Sequence, residues 1–302
     1  MLSTSSLSSG PPMNLTRAIH AKPLLSLFGA VLLFAGCQAP DSSISTTKDS
    51  APAAALSAEI HSASLQIGPY DAPVAAGYPD SWTVLENISY WSAYDETLRA
   101  PAWVAYRLGG VPHEAGPRLN NFPTDTRTHS LVSEADFPPG YDRGHMAPSE
   151  GIGKYYSQEG QDQTFFMSNM VPQRPGLNRG PWKSVETAEY TRWALQHEIW
   201  VICGPIYAEN AGDAIVPKQR YGAKLVSIPE ACFKIIVSKD TAGEVQTLAF
   251  IMPQQNAAGH KPAEFLRSIR EIEKRTGLDF FSSLPKAQQD ALEEQAAAAL
   301  WP

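Results

Sequence analysis

Beyond residue 67 the apolar residues come in short aromatic and β-branched runs, each closed by turn formers. This interruption limits the possible folds more than any other feature. Residues 88–94 and 102–108 flank Asp95 and Pro101 and read as two antiparallel strands, because such side chains suit a pleated, half-buried surface. Further runs at 164–169, 198–203, 223–228, 231–238 and 245–252 read as strands as well. Between them, Pro181 opens an uninterrupted stretch over 182–197 that reads as a helix. Residues 261–276 show helical spacing at Phe265, Ile269 and Ile272, with Gly277 as the stop. A last Ala- and Glu-rich helix follows Pro285. Strands dominate the middle and helices punctuate it, which predicts an α+β fold with a mainly antiparallel sheet.

The stretch ahead of residue 67 is different. Arg17, His20 and Lys22 precede an apolar run from Leu24 to Ala35 that ends in Phe34-Ala35-Gly36-Cys37. The run is short for a membrane span and has the form of a signal-peptide core, and small residues before a cysteine resemble a lipobox. Residues 1–37 are therefore expected to export the chain and leave a lipid anchor on Cys37. The expected location is the periplasm or outer membrane of a Gram-negative bacterium, or otherwise secretion. Residues 38–66, rich in Ser, Ala, Thr and Asp without any period, read as a disordered tether. Residues 67–302 read as one domain. Cys203 and Cys232 are either a disulfide, which an exported setting allows, or buried thiols.

The net charge of −7 argues against a broadly basic nucleic-acid binder. It leaves room for a few arginines gathered in a cleft. The long loop over 109–140 carries Arg118, Asp125 and Arg127, and loops of this length in compact domains are usually functional. It leads into Tyr141-Asp142-Arg143-Gly144-His145-Met146-Ala147-Pro148. Here an arginine able to fork onto phosphate and a histidine able to take a proton from water near pH 7 lie two residues apart. Gly144 leaves room for a substrate backbone. If His145 is a general base, its second ring nitrogen should be fixed by a backbone carbonyl. Phosphodiester hydrolysis also needs a Lewis acid, and Mg²⁺ binds through one or two protein oxygens while keeping most of its water. Asn169, Asn178 and Glu186 offer those oxygens. Glu186 follows Asn178 by eight residues, about two helical turns, so the two can share a side.

These motifs together resemble the DNA/RNA non-specific endonucleases, a ββα-metal family. The likeness runs through Asp142-Arg-Gly-His145, Phe166-Met-Ser-Asn169-Met-Val-Pro-Gln173 and Leu177-Asn178-Arg-Gly-Pro-Trp182, then Glu186. It extends upstream to Trp103-Val-Ala-Tyr106 and downstream to Cys203-Gly-Pro205, Cys232-Phe-Lys234 and the 272–285 segment. The resemblance implies cleavage of DNA and RNA to 5′-phosphate products around one Mg²⁺, with Mn²⁺ as a substitute. It implies that His145 is the base, that Asn178 is the direct metal ligand, and that Glu186 holds the metal's water shell. It also implies that Asn169 shapes the site, that Arg143 and Arg118 contact phosphate, and that Asp142 is a strut. One position departs from the family's habit: a second arginine after the glutamate is replaced by Tyr190.

Taken singly, each residue has a plainer reading. Asn169 and Asn178 could be turn formers, Glu186 a solvated helix glutamate, and Arg143 the partner of Asp142 or Glu150. Trp91, Trp103, Trp182 and Trp193 read as core. Two other functions stay open at this level: an envelope-anchored nucleic-acid binder with weak catalysis, and a phosphodiesterase for another substrate.

Overall fold

The computed structural model describes residues 82–207 and 226–302. The export segment 1–37, the tether 38–66, the start of the domain at 67 and residues 223–225 lie outside the described residues.

Among the described residues eight strands form two sheets. β1 (Trp82–Glu86), β2 (Tyr90–Asp95), β3 (Ala100–Leu108), β6 (Ile199–Ile206), β7 (Ala231–Lys239) and β8 (Val245–Pro253) lie side by side in that order, every pair antiparallel. β4 (Asp142–His145) and β5 (Met170–Gln173) form a separate antiparallel ribbon. The α+β reading with a mainly antiparallel sheet holds.

The large sheet is covered on both faces, so its central strands are apolar on both sides. Val104, Tyr106, Val201, Cys203, Ile236, Leu248 and Phe250 face one core, which also holds Met146, Leu177, Trp182 and Val185 from the ribbon and the helical segment after it. Trp103, Ile202, Phe233, Ile235 and Ile251 face the other, closed by Ile269 and Ile272 and by Phe280 and Phe281. β7 is buried along nearly its whole length, as a strand between two covering layers must be. The first of these layers carries the site.

Several elements differ from the sequence reading. Residues 164–169 form no strand: they fold into tight turns and a 3₁₀ turn at Met167–Asn169, and the strand is Met170–Gln173. The helical run begins at Pro175, not after Pro181, and continues to Gln196 with wider π-type turns at Asn178–Trp182 and Glu189–Trp193. Gly180 leaves helical geometry inside it (φ −101°, ψ −118°), which accommodates Pro181 without ending the run. Its regular central segment is α3 (Lys183–Ala188), after α1 (Ser149–Tyr155) and α2 (Gln158–Gln163). The 261–276 stretch is split into a 3₁₀ turn at Pro262–Phe265 and α4 (Ile269–Thr276), because Ser268 caps a new start by accepting from the Glu271 N–H. Residues 226–228 belong to no strand, and α5 (Lys286–Glu293) stops before the alanine run.

Candidate active site

The DRGH motif is the whole of β4, and its pairing with β5 fixes where each side chain points. Asp142 opposes Gln173 and His145 opposes Met170. Gly144 is demanded by Gln173, whose side chain lies where a Cβ would sit, so the space expected for a substrate backbone is already filled. Asn169 secures the end of β4. Its amide accepts from Ala147 N at 2.9 Å and donates to the carbonyls of Ala147 (3.0 Å) and Thr164 (2.8 Å). Asn169 is fully buried, its bonding is spent on backbone, and it does not line the cleft; it braces the strand and is not positioned to act on a substrate.

His145 points into a cleft of about 360 Å³. Phe165 meets its ring edge-on at 5.1 Å and Phe122 lies at 5.9 Å. The expected carbonyl bond to Nε2 is not made among the described residues. Among the described residues Nε2 is fully buried with no hydrogen-bond partner, and the aromatic pair holds the ring instead. Burial, with Arg118 and Lys183 adding like-sign repulsion, pushes its pKa down to about 3. The imidazole is therefore neutral at pH 7, the form that accepts a proton.

The helical run supplies the opposite wall. Asn178 lies inside that run and turns its amide nitrogen to Asp142 (2.9 Å), which also takes two bonds from Arg179 (2.9 and 2.7 Å). Burial would raise the Asp142 pKa, but the bonds from Arg179 and Asn178 outweigh it and hold the carboxyl below its usual value. Glu186 sits two turns along on the same side. One of its oxygens accepts from the Trp182 indole N–H at 3.0 Å, and the same N–H lies 3.2 Å from the His145 carbonyl. Trp182 thus ties the end of β4 to Glu186. Burial pushes Glu186 up to about 7, against the pull of Lys234 and Lys183.

Cations line the rest of the cleft. Arg118 stacks over Phe165 at 5.3 Å and Arg143 over Phe122 at 5.1 Å. The partner of Arg143 is Glu134 at 2.8 Å, not Asp142 or Glu150. Lys183 lies 3.9 Å from Glu186 and over the Tyr190 ring. Five of the six residues singled out from sequence (His145, Arg143, Arg118, Asn178 and Glu186) meet in this one cleft; Asn169 stands behind it.

Sequence reasoning missed Arg179, Lys183, Glu134 and the two phenylalanines. The first two could have been found from their places next to Asn178 and one turn before Glu186. Behind Trp182 lies another unread feature, Lys234, fully buried and paired with Glu189 at 2.7 Å and Tyr106 at 3.0 Å. Cys203 and Cys232 are separate buried thiols, bonded to the Met146 carbonyl and the Gln173 amide respectively.

An antiparallel ribbon followed by a helix, carrying His, Asn and Glu into one arginine-lined cleft, defines a ββα site on an α+β scaffold. The model of the DNA/RNA non-specific endonuclease family matches residues 74–287, and the chain belongs to that family. Mitochondrial endonuclease G of Bos taurus is 28% identical over 217 residues, covering 69% of this chain and 72% of that protein. A nuclease of Nostoc sp. is 27% identical over 290 residues, covering 90% and 97%. The mitochondrial nuclease EXOG of Homo sapiens is 31% identical over 209 residues, covering 64% and 55%. A solved structure of the EndoG/EndoGI complex matches with a TM-score of 0.59 at 29% identity, covering 70% of this chain and 91% of that one.

Proposed function

We propose that the chain is a Mg²⁺-dependent, sugar-non-specific endonuclease that cleaves DNA and RNA phosphodiesters to 5′-phosphate products, with Mn²⁺ able to replace Mg²⁺. The observation that carries this reading is a histidine, held neutral by burial, that lines one cleft with Asn178, Glu186 and two arginines. The residues fit a hard cation. Asn178 spends its nitrogen on Asp142, so its carbonyl oxygen is unspent, and Glu186 keeps one oxygen free of hydrogen bonds. Among the described residues no group of three or more His, Cys, Asp or Glu gathers. Few protein oxygens and many retained waters are what Mg²⁺ accepts. When bound, the ion supplies charge stabilisation to the phosphoryl group and the departing 3′ oxygen.

The chain's own residues do the rest. His145 takes a proton from water in the cleft at a ring nitrogen. Arg143 and Arg118, placed over Phe122 and Phe165, offer donors to the phosphate oxygens. Phe165 and Phe122 keep bulk water from the back of the imidazole. Asn169 keeps His145 at the strand end without touching substrate. The full chain should degrade both supercoiled plasmid and RNA in Mg²⁺, leave ends that ligate without prior phosphorylation, and stop in EDTA. Cleavage that persists in EDTA would remove the metal from the account.

We also propose that the chain is exported through residues 1–37 and anchored by lipid on Cys37, with 38–66 as the tether. Radiolabelled palmitate should enter the wild type and not Cys37→Ser.

A further inference from the structure

The Asp142 carboxylate receives three donors: Asn178 Nδ2 at 2.9 Å, Arg179 Nε at 2.9 Å and Arg179 Nη2 at 2.7 Å. A carboxylate only accepts and a guanidinium only donates, whereas a primary amide can present either end. Asn178 is therefore the one member of this cluster with a choice, and Asp142 makes it: the nitrogen must face the carboxylate. The oxygen is then left to the cleft that Asn178 lines.

We propose that Asp142 is a positioning residue whose carboxylate selects the amide orientation of Asn178, so that the cleft receives a carbonyl oxygen and not an NH₂. The inference rests on Asn178 being a metal ligand. It gives the strut of the DRGH motif a definite task, since an amide presenting its NH₂ has no lone pair for a cation.

The two substitutions at Asp142 then differ in what they leave for Asn178. In Asp142→Asn an amide oxygen at the Oδ2 position still accepts from both Asn178 Nδ2 and Arg179 Nε, and the new NH₂ faces only Arg179 Nη2. That variant keeps the amide orientation of Asn178. Asp142→Ala imposes no orientation and leaves the amide free to present either end.

Mn²⁺ binding to the full chain, titrated by calorimetry or electron paramagnetic resonance without nucleic acid, reads this directly. Asp142→Ala should weaken Mn²⁺ by about 10-fold or more, the range of losses when a ligand's supporting group is removed, while Asp142→Asn should stay within a few-fold of wild type. In an Asn178→Asp background both ends of the side chain are oxygens, so Asp142→Ala should add no further loss. A loss of the same size in that background, or an Asp142→Asn as weak as Asp142→Ala, overturns the proposal. Asn178→Ala separates the two levels. If it leaves Mn²⁺ affinity intact, the metal reading itself fails; if it abolishes affinity while Asp142→Ala does not weaken it, only the role of Asp142 fails.

Discussion

Lys234 and Glu189 have no solvent exposure, and their side chains meet at 2.7 Å on the inner face of the sheet. Tyr106 closes the cluster, donating to Glu189 at 2.7 Å and receiving from Lys234 at 3.0 Å. Burial alone would pull the Lys234 pKa down, but Glu189 outweighs it and holds the ammonium above its usual value. Removing one partner strands a charge that the remaining hydroxyl cannot satisfy. Lys234→Met should therefore cost about 3–5 kcal/mol, the range for breaking a buried pair. In a domain of this size that lowers the melting temperature by roughly 10 °C. The double variant Lys234→Met/Glu189→Met removes both charges and should regain most of the loss, since apolar side chains of similar volume often replace a buried pair at little cost. Urea unfolding of the four proteins, with unchanged m-values, completes the cycle. A Lys234→Met cost below ~1 kcal/mol, or single costs that simply add, would show that the pair is not coupled as described.

Trp182→Phe keeps an aromatic ring beneath Lys234, which sits 4.6 Å from the Trp182 ring, but trims the buried indole and deletes the N–H shared by Glu186 and the His145 carbonyl. It should cost about 2 kcal/mol and lower kcat about tenfold at constant KM, and an unchanged kcat would count against the tie. Arg143→Met should raise KM and take roughly one unit from the slope of log affinity against log salt, as losing one phosphate contact does; a slope equal to wild type would place Arg143 away from the backbone. Glu293 is buried beside Glu273 and Arg270, and burial, with Glu273 adding, pushes it up to about 7. Its folded pKa lies above its unfolded one, so the folded state binds the extra proton and stability falls as pH rises from about 4.5 to about 7. Glu186, raised to about 7 as well, titrates in the same window, so Glu293→Gln should lessen the fall in melting temperature there without abolishing it, and an unaltered pH profile would refute the shift.

What could be read from the sequence was what depends on neighbours along the chain. β2, β3, β7 and β8 follow from β-branched and aromatic runs, and the cleft's main residues follow from the ordered motifs. The misplaced strand at 164–169 failed because Phe165 and Phe166 carry strand propensity. The Asn169 amide, bonded to Ala147 and Thr164, instead stabilises a tight turn there and passes the pairing to Met170–Gln173. The helix start failed because Asn178, Gly180 and Pro181 look like breakers, while a π-type turn absorbs all three. The unread contacts join residues far apart in sequence. Lys234 meets Glu189 across 45 positions, and Asn178 meets Asp142 across 36. No local propensity encodes such pairs. The sheet register and the packing of the helical run against it create them.

The proposed function makes His145 the base of a metal-dependent hydrolysis. Nicking of supercoiled plasmid in Mg²⁺, with wild type and His145→Ala in parallel and circular dichroism to confirm equal folding, tests it most directly. General-base catalysis is worth on the order of 10²–10⁴ in rate, so the alanine variant should lose at least about a hundredfold while still binding DNA. A folded His145→Ala protein that nicks within a few-fold of wild type would contradict the account.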